Sequence, residues 1–207
     1  WYWWPLLAIS MPLWLFRASK LWEYAGGWAQ RYGKRSTVGV KPPRLIKTAN
    51  RSIGNRIFIE ENIGKKVGQV TCHELAHALA AHLKLPMWLN EGLAMLTVDR
   101  YTGKTTVRIE TLETLGGRAH KAEPGSYRRM RIEDEDEMVY QYVRGYWLTR
   151  YIKDTQPELL KDILAKRLPQ KDLERTIASA YGMAPQDFWR DIDRVVVSYF
   201  KQKGPDA

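Results

Sequence analysis

The stretch His73-Glu74-Leu75-Ala76-His77 decides how this chain is read. It sits inside a helical pattern that runs from about Lys66 to Leu85 and stops at Pro86. A proline pushes the residue before it out of helical geometry, so Leu85 is the expected end. Residues four apart on an α-helix differ in direction by about 40°. His73 and His77 therefore face one way, and two neutral imidazoles on one face supply two of the three protein ligands of a catalytic zinc. Glu74 adjoins His73 and can reach a metal-activated water without being a ligand, which suits a general base.

A third ligand has three candidates. His82 lies five residues past His77 on the same helix, about 140° away in direction, and is expected to miss the metal. His120 sits in a long Gly- and Pro-marked loop and remains a fallback. Glu91 lies beyond the break at Pro86, on a second helical pattern from about Trp88 to Val98 that can pack against the first. Cys72 points about 100° away from His73 and reads as a small buried residue rather than a ligand.

The segment Pro86-Met87-Trp88-Leu89-Asn90-Glu91-Gly92-Leu93-Ala94, paired with H-E-L-A-H, resembles the gluzincin zinc metallopeptidases. It is also similar to their compact peptidase MA-like branch. The likeness spans about residues 14 to 200 and is most specific over 73–94. It implies a thermolysin-like core: α+β, mostly helical, with a small early sheet, the zinc helix and a C-terminal helical subdomain. It also implies that Glu91 is the third zinc ligand, after His73 and His77, and that Gly92 lets helices approach closely. Tyr142-Val143-Arg144-Gly145-Tyr146 is similar to the helix that carries the family's catalytic tyrosine. In related aminopeptidases a Lys-Gly pair follows that tyrosine; Arg144-Gly145 stands there, which points to Tyr142, with Tyr140 and Tyr146 as the alternatives for that role. The implied activity is hydrolysis of peptide bonds by a metal-activated water, with Glu74 as base. Two family features are absent. There is no G-x-M-E-N exopeptidase motif, which Glu60-Glu61-Asn62 only echoes, and there is no room for a β-sandwich domain.

The 207 residues suffice for one domain with a real core, and a single cysteine excludes an internal disulfide framework. Apolar residues make up 44% and charged residues 27%, which excludes a disordered chain and a polytopic membrane protein. Thirty-three Lys+Arg against 23 Asp+Glu give a formal charge of +10, which favours acidic substrates, nucleic acid or an anionic membrane surface, or serves solubility alone. The acidic run from Glu133 to Glu137 reads as a helix start, not a calcium site.

Residues 1–16 are uncharged and rich in Trp and Leu. They are set apart as an N-terminal segment that either packs on the domain or ends a membrane-proximal region, and residues 17–207 form one catalytic domain. Sixteen residues are short of the roughly 20 a span needs. The chain opens on Trp1, so a fragment or processed form is expected; the sequence leaves the compartment open, membrane association or export being the options that residues 1–16 raise.

Elsewhere the pattern predicts a helix over about Leu13 to Tyr32 stopped by Gly33, then short strands at Arg44–Thr48 and Arg56–Glu60. The second strand is a candidate exposed edge on which an extended peptide would add. Val107 to Leu115 fits strand or helix, and helices are expected near 135–154, 157–167, 170–181 and 185–202. Two other readings accompany the peptidase. One is a catalytically silent binding or scaffold protein with the same fold. The other is a basic, DNA-associated metalloprotease, for which no separate DNA-binding module or zinc-finger cysteines are present.

Overall fold

The computed structural model describes residues 11, 12, 15, 25–33, 35–49, 53–119, 134–166 and 168–203. Among them the chain is α+β and mostly helical, with one two-stranded antiparallel sheet. The strands are β1 (Gly27–Tyr32) and β2 (Arg35–Val40). The helices are α1 (Pro43–Ala49), α2 (Ile63–Ala80), α3 (Met87–Thr102), α4 (Thr111–Arg118), α5 (Glu135–Thr155), α6 (Pro157–Lys166), α7 (Gln170–Ala180) and α8 (Phe188–Lys203).

The early part of the chain corrects the sequence reading. The predicted helix over 13–32 ends in a β-hairpin instead, with Gly33 at φ 61° in its turn. Gly26 and Gly27 explain the difference. Glycine is poor in a helix interior, and these two let the strand lie directly on α2. A Cβ on Gly27 would come 2.7 Å from Glu74 Cγ and 3.0 Å from Val70. Arg44–Thr48, expected as strand, is helix α1, which begins at Pro43, where a proline is preorganised for a first helical turn. Arg56–Glu60 is not an edge strand either. Asn55–Ile57 is a single helical turn, and Phe58 then forms one isolated antiparallel bridge to Val107.

Helix α2 opens on Asn62, whose side chain accepts a hydrogen bond from Lys65 N at 3.0 Å. That capping contact satisfies one orphan donor of the first turn. The helix gives way to a 3₁₀ turn at Ala81–Leu83, and Lys84 adopts left-handed geometry (φ 53°) before Pro86 starts α3.

The core is built on α5, which is buried on nearly every side. It crosses α3 at two glycines. A Cβ on Gly92 would lie 2.2 Å from Gly145 O, and one on Gly145 would lie 2.5 Å from Trp88 O. The close approach that Gly92 was expected to permit is therefore between α3 and α5. On its other side α5 meets α8, where Trp147 packs on Phe200 with ring centroids 4.7 Å apart. Arg144 and Asp193 form a buried ion pair there. Of the N-terminal segment only Met11, Pro12 and Leu15 are described, and Met11 and Leu15 are exposed. The rest of residues 1–16 lies outside the described residues. No described helix is long and apolar enough to cross a membrane.

Candidate metal centre

Helix α2 brings the two imidazoles together as its period requires. His77 Nε2 lies 2.9 Å from His73 Nε2. Helix α3 delivers Glu91 to the same point, with Oε2 3.2 Å from His73 Nε2 and Oε1 3.4 Å from His77 Nε2. One donor atom from each of these residues lies within 4.8 Å of the others, and among the described residues no other such group of His, Cys, Asp and Glu occurs.

The three side chains are coupled electrostatically. Glu91 is half-buried, and its buried Oε2 makes no hydrogen bond of normal geometry. Burial pushes its carboxyl up, but His73 and His77 outweigh that and hold it down at about 2. Burial likewise works against the His77 imidazolium, yet Glu91 raises it to about 9. Two imidazole nitrogens and one carboxylate match the donor types of a catalytic zinc site. These three residues could hold a metal ion such as the one the resemblance implies.

Glu74 is 8% exposed and packs against Gly27 of β1. Burial, opposed by the two histidines and reinforced by Glu91, raises its carboxyl above the ordinary range. A carboxylate displaced in this direction is better matched to proton transfer near neutral pH.

The three candidate tyrosines separate cleanly. Tyr140 donates its hydroxyl to Asp193 Oδ2 at 2.7 Å, on the α8 side. Tyr146 donates to Asp99 Oδ2 at 2.7 Å. Tyr142 alone of the three lines the cavity that holds His73, Glu74, His77 and Glu91. The charge of Glu91, then burial, lifts its phenol well above the usual value, so it is held as a proton donor.

The remaining sequence candidates stand apart. His82 is exposed and its Nδ1 lies 2.8 Å from Leu79 O. Cys72 is half-buried rather than buried, with its thiol 3.8 Å from Thr97 O, and does not join the cluster. His120 lies outside the described residues.

The cavity measures about 550 Å³, within the range of ligand-binding clefts. Its walls come from β1, the 57–59 segment, α2, α3 and Tyr142. Sequence reasoning did not single out Gly27, Lys66 or Asp99. The Gly26-Gly27 pair was the available signal for the first. Lys66, one heptad before His73, was the available signal for the second.

Neither a family model, nor a curated protein, nor a solved structure matches the chain.

Proposed function

We propose that this chain is a zinc metallopeptidase of gluzincin type, with a thermolysin-like catalytic core. One observation carries the reading: His73, His77 and Glu91 converge on one point in a cleft that also holds Glu74 and Tyr142. His73, His77 and Glu91 would hold the ion. Zinc, when bound, supplies Lewis acidity to the scissile carbonyl and makes water a nucleophile near neutral pH.

The chain's own residues do the rest. Gly26 and strand β1 as far as Arg31 line the cleft. Lys41 N donates to Gly26 O, so Gly26 and Lys41 are a hydrogen-bonded pair, and such pairs alternate along an antiparallel ladder. Gly27, Ala29 and Arg31 therefore turn their N–H and C=O groups away from β2. Among the described residues these groups make no other backbone hydrogen bond, and this edge, rather than Arg56–Glu60, is where an extended peptide would add as a strand. Glu74 takes the proton of the attacking water and passes it to the departing amine nitrogen. Tyr142 donates a hydrogen bond to the oxygen that gains charge as the carbonyl is attacked, a contribution worth about 3 kcal/mol where such donors have been removed.

The first test is elemental analysis of the purified chain alongside hydrolysis of a peptide library. About one zinc per chain and cleavage that a chelator abolishes are expected. Glu91→Ala is expected to bring the zinc content close to zero, because two histidines alone leave a weak site. A chain that neither carries nor takes up zinc would overturn the reading.

A second expectation concerns the strand. Gly27→Ala places a methyl 2.7 Å from Glu74 Cγ and 2.9 Å from Gly39 O, so either Glu74 or β1 must shift. With zinc retained, kcat/KM is expected to fall by roughly ten- to a hundredfold, as for other displacements of about 1 Å at a reacting centre. Unchanged turnover in this variant would show that β1 does not hold Glu74 in place.

A further inference from the structure

We propose that Lys66 is a docking point for a substrate carboxylate, and that the cleft selects peptides with an acidic group about three residues from the scissile bond. This rests on the peptidase reading above. Lys66 lies on α2 seven residues before His73. Seven residues bring a helix back to within about 20° of the same direction and about 10 Å along its axis. The lysine thus stands on the face that carries the two histidines, two turns away, and it lines the same cavity.

Its surroundings leave its charge unmatched. Lys66 is half-buried, beside apolar cavity residues Ile59 and Val70. Among the described residues its ammonium has no ion-pair or hydrogen-bond partner. Glu61 is already paired with Lys104 and Lys65. Arg31, the other cation described on the cavity wall, is committed. Its Nε donates to Gly33 O at 2.7 Å, and a terminal guanidinium nitrogen donates to Ala81 O at 2.8 Å. The acidic residues described on the wall, Glu74 and Glu91, stand with the histidines. A partly desolvated ammonium gains most from an ionised acceptor. An extended peptide advances about 3.4 Å per residue, so 10 Å corresponds to about three residues. The carboxylate has two possible sources, an Asp or Glu side chain or the free C-terminus of a short peptide.

The test uses one cleavable peptide in three forms. The first has Glu at the third position from the scissile bond, with an amidated end. The second has Gln there, also amidated. The third has Gln and a free terminal carboxylate at that distance. Each form is made for both sides of the bond. Binding is read by calorimetry on the zinc-loaded Glu74→Gln protein, and kcat/KM on the protein with Glu74 intact. One carboxylate form is expected to exceed its neutral counterpart by about tenfold in both readouts, the scale of a charge-assisted contact after screening. Which form gains tells side chain from terminus. Lys66→Met is expected to bring that ratio to about one, Lys66→Arg to restore it, and Lys66→Glu to reverse it in favour of a Lys-containing peptide. A merely structural lysine would change all peptides together and leave the ratio intact, which overturns the proposal while the peptidase reading stands. Failure of every peptide to bind or be cleaved overturns that reading, and this proposal with it.

Discussion

Glu74→Gln is expected to keep its zinc and lose peptide hydrolysis by about 10²- to 10⁴-fold, the usual worth of a positioned general base. The substitution preserves shape, so the packing of residue 74 against Gly27 survives. It also leaves the three converging donors untouched, since Glu74 is not one of them. Burial opposes the ionised form of Glu74, so a neutral amide at this position relieves a desolvation cost instead of adding one. The variant is therefore expected to fold at least as stably, and its defect belongs to the proton transfer alone. Elemental analysis and thermal unfolding should match the unsubstituted chain while kcat collapses. Retained turnover would remove Glu74 from the role of base. Loss of zinc together with activity would mean that Glu74 supports the ion, and the assignment of roles on α2 would have to change.

The sequence exposed this site unevenly, for physical reasons. The helical period alone aligns His73 with His77; the break at Pro86 followed by a second helical pattern puts Glu91 on a separate helix, and the resemblance of the 86–94 segment singled it out as the third donor. The three tyrosines were a different problem. Helix α5 is buried almost all round, so its apolar pattern does not tell which side meets the cleft. Tyr140 and Tyr142 lie about 200° apart on it, so only one of them can face the cleft. The rotation is set by Gly145 against Trp88 and by Thr149 against Gly92. Tyr142 shares that stripe at the i, i+3, i+7 spacing. The β-hairpin went unread because Trp28, Ala29, Gln30, Arg31 and Tyr32 are compatible with helix or strand. Only the flanking glycines, and contact with α2 far along the chain, decide between them. The strand expected at 44–48 failed because the short strand-like run Arg44–Thr48 is preceded by Pro43, which starts a helix instead.

The stability of α5 in that orientation has its own test. Asp193→Ala is expected to destabilise the fold by about 3–5 kcal/mol, the cost of leaving one member of a buried ion pair unmatched. The side chains of Arg144 and Asp193 are 0% and 1% exposed. Arg144 Nε donates to Asp193 Oδ1 at 2.8 Å, its terminal nitrogen donates to Trp189 O at 3.0 Å, and its guanidinium lies 4.3 Å from the centre of the Trp189 ring. Tyr140 closes the other carboxylate oxygen. Burial already pulls the Arg144 guanidinium down to about 10 despite the carboxylate beside it, so removing that carboxylate strands a charge that has no route to water. A fall in Tm of roughly 10 °C follows for a chain of this size, measured by thermal unfolding of the zinc-loaded protein. Arg144→Met with Asp193→Leu is expected to regain much of the loss, since an apolar pair of similar volume carries no desolvation cost. The functional consequence separates the two halves of the site. The metal donors stand on α2 and α3, whereas Tyr142 precedes Arg144 by two residues on α5. Below its own melting point the Asp193→Ala protein should hold zinc normally and turn over slowly, because the helix that aims the tyrosine has lost its anchor on α8. Weakened zinc binding in that variant would mean that α3 leans on α5 for the position of Glu91 as well. The Gly92–Gly145 crossing would then transmit the disturbance from α5 to the metal site.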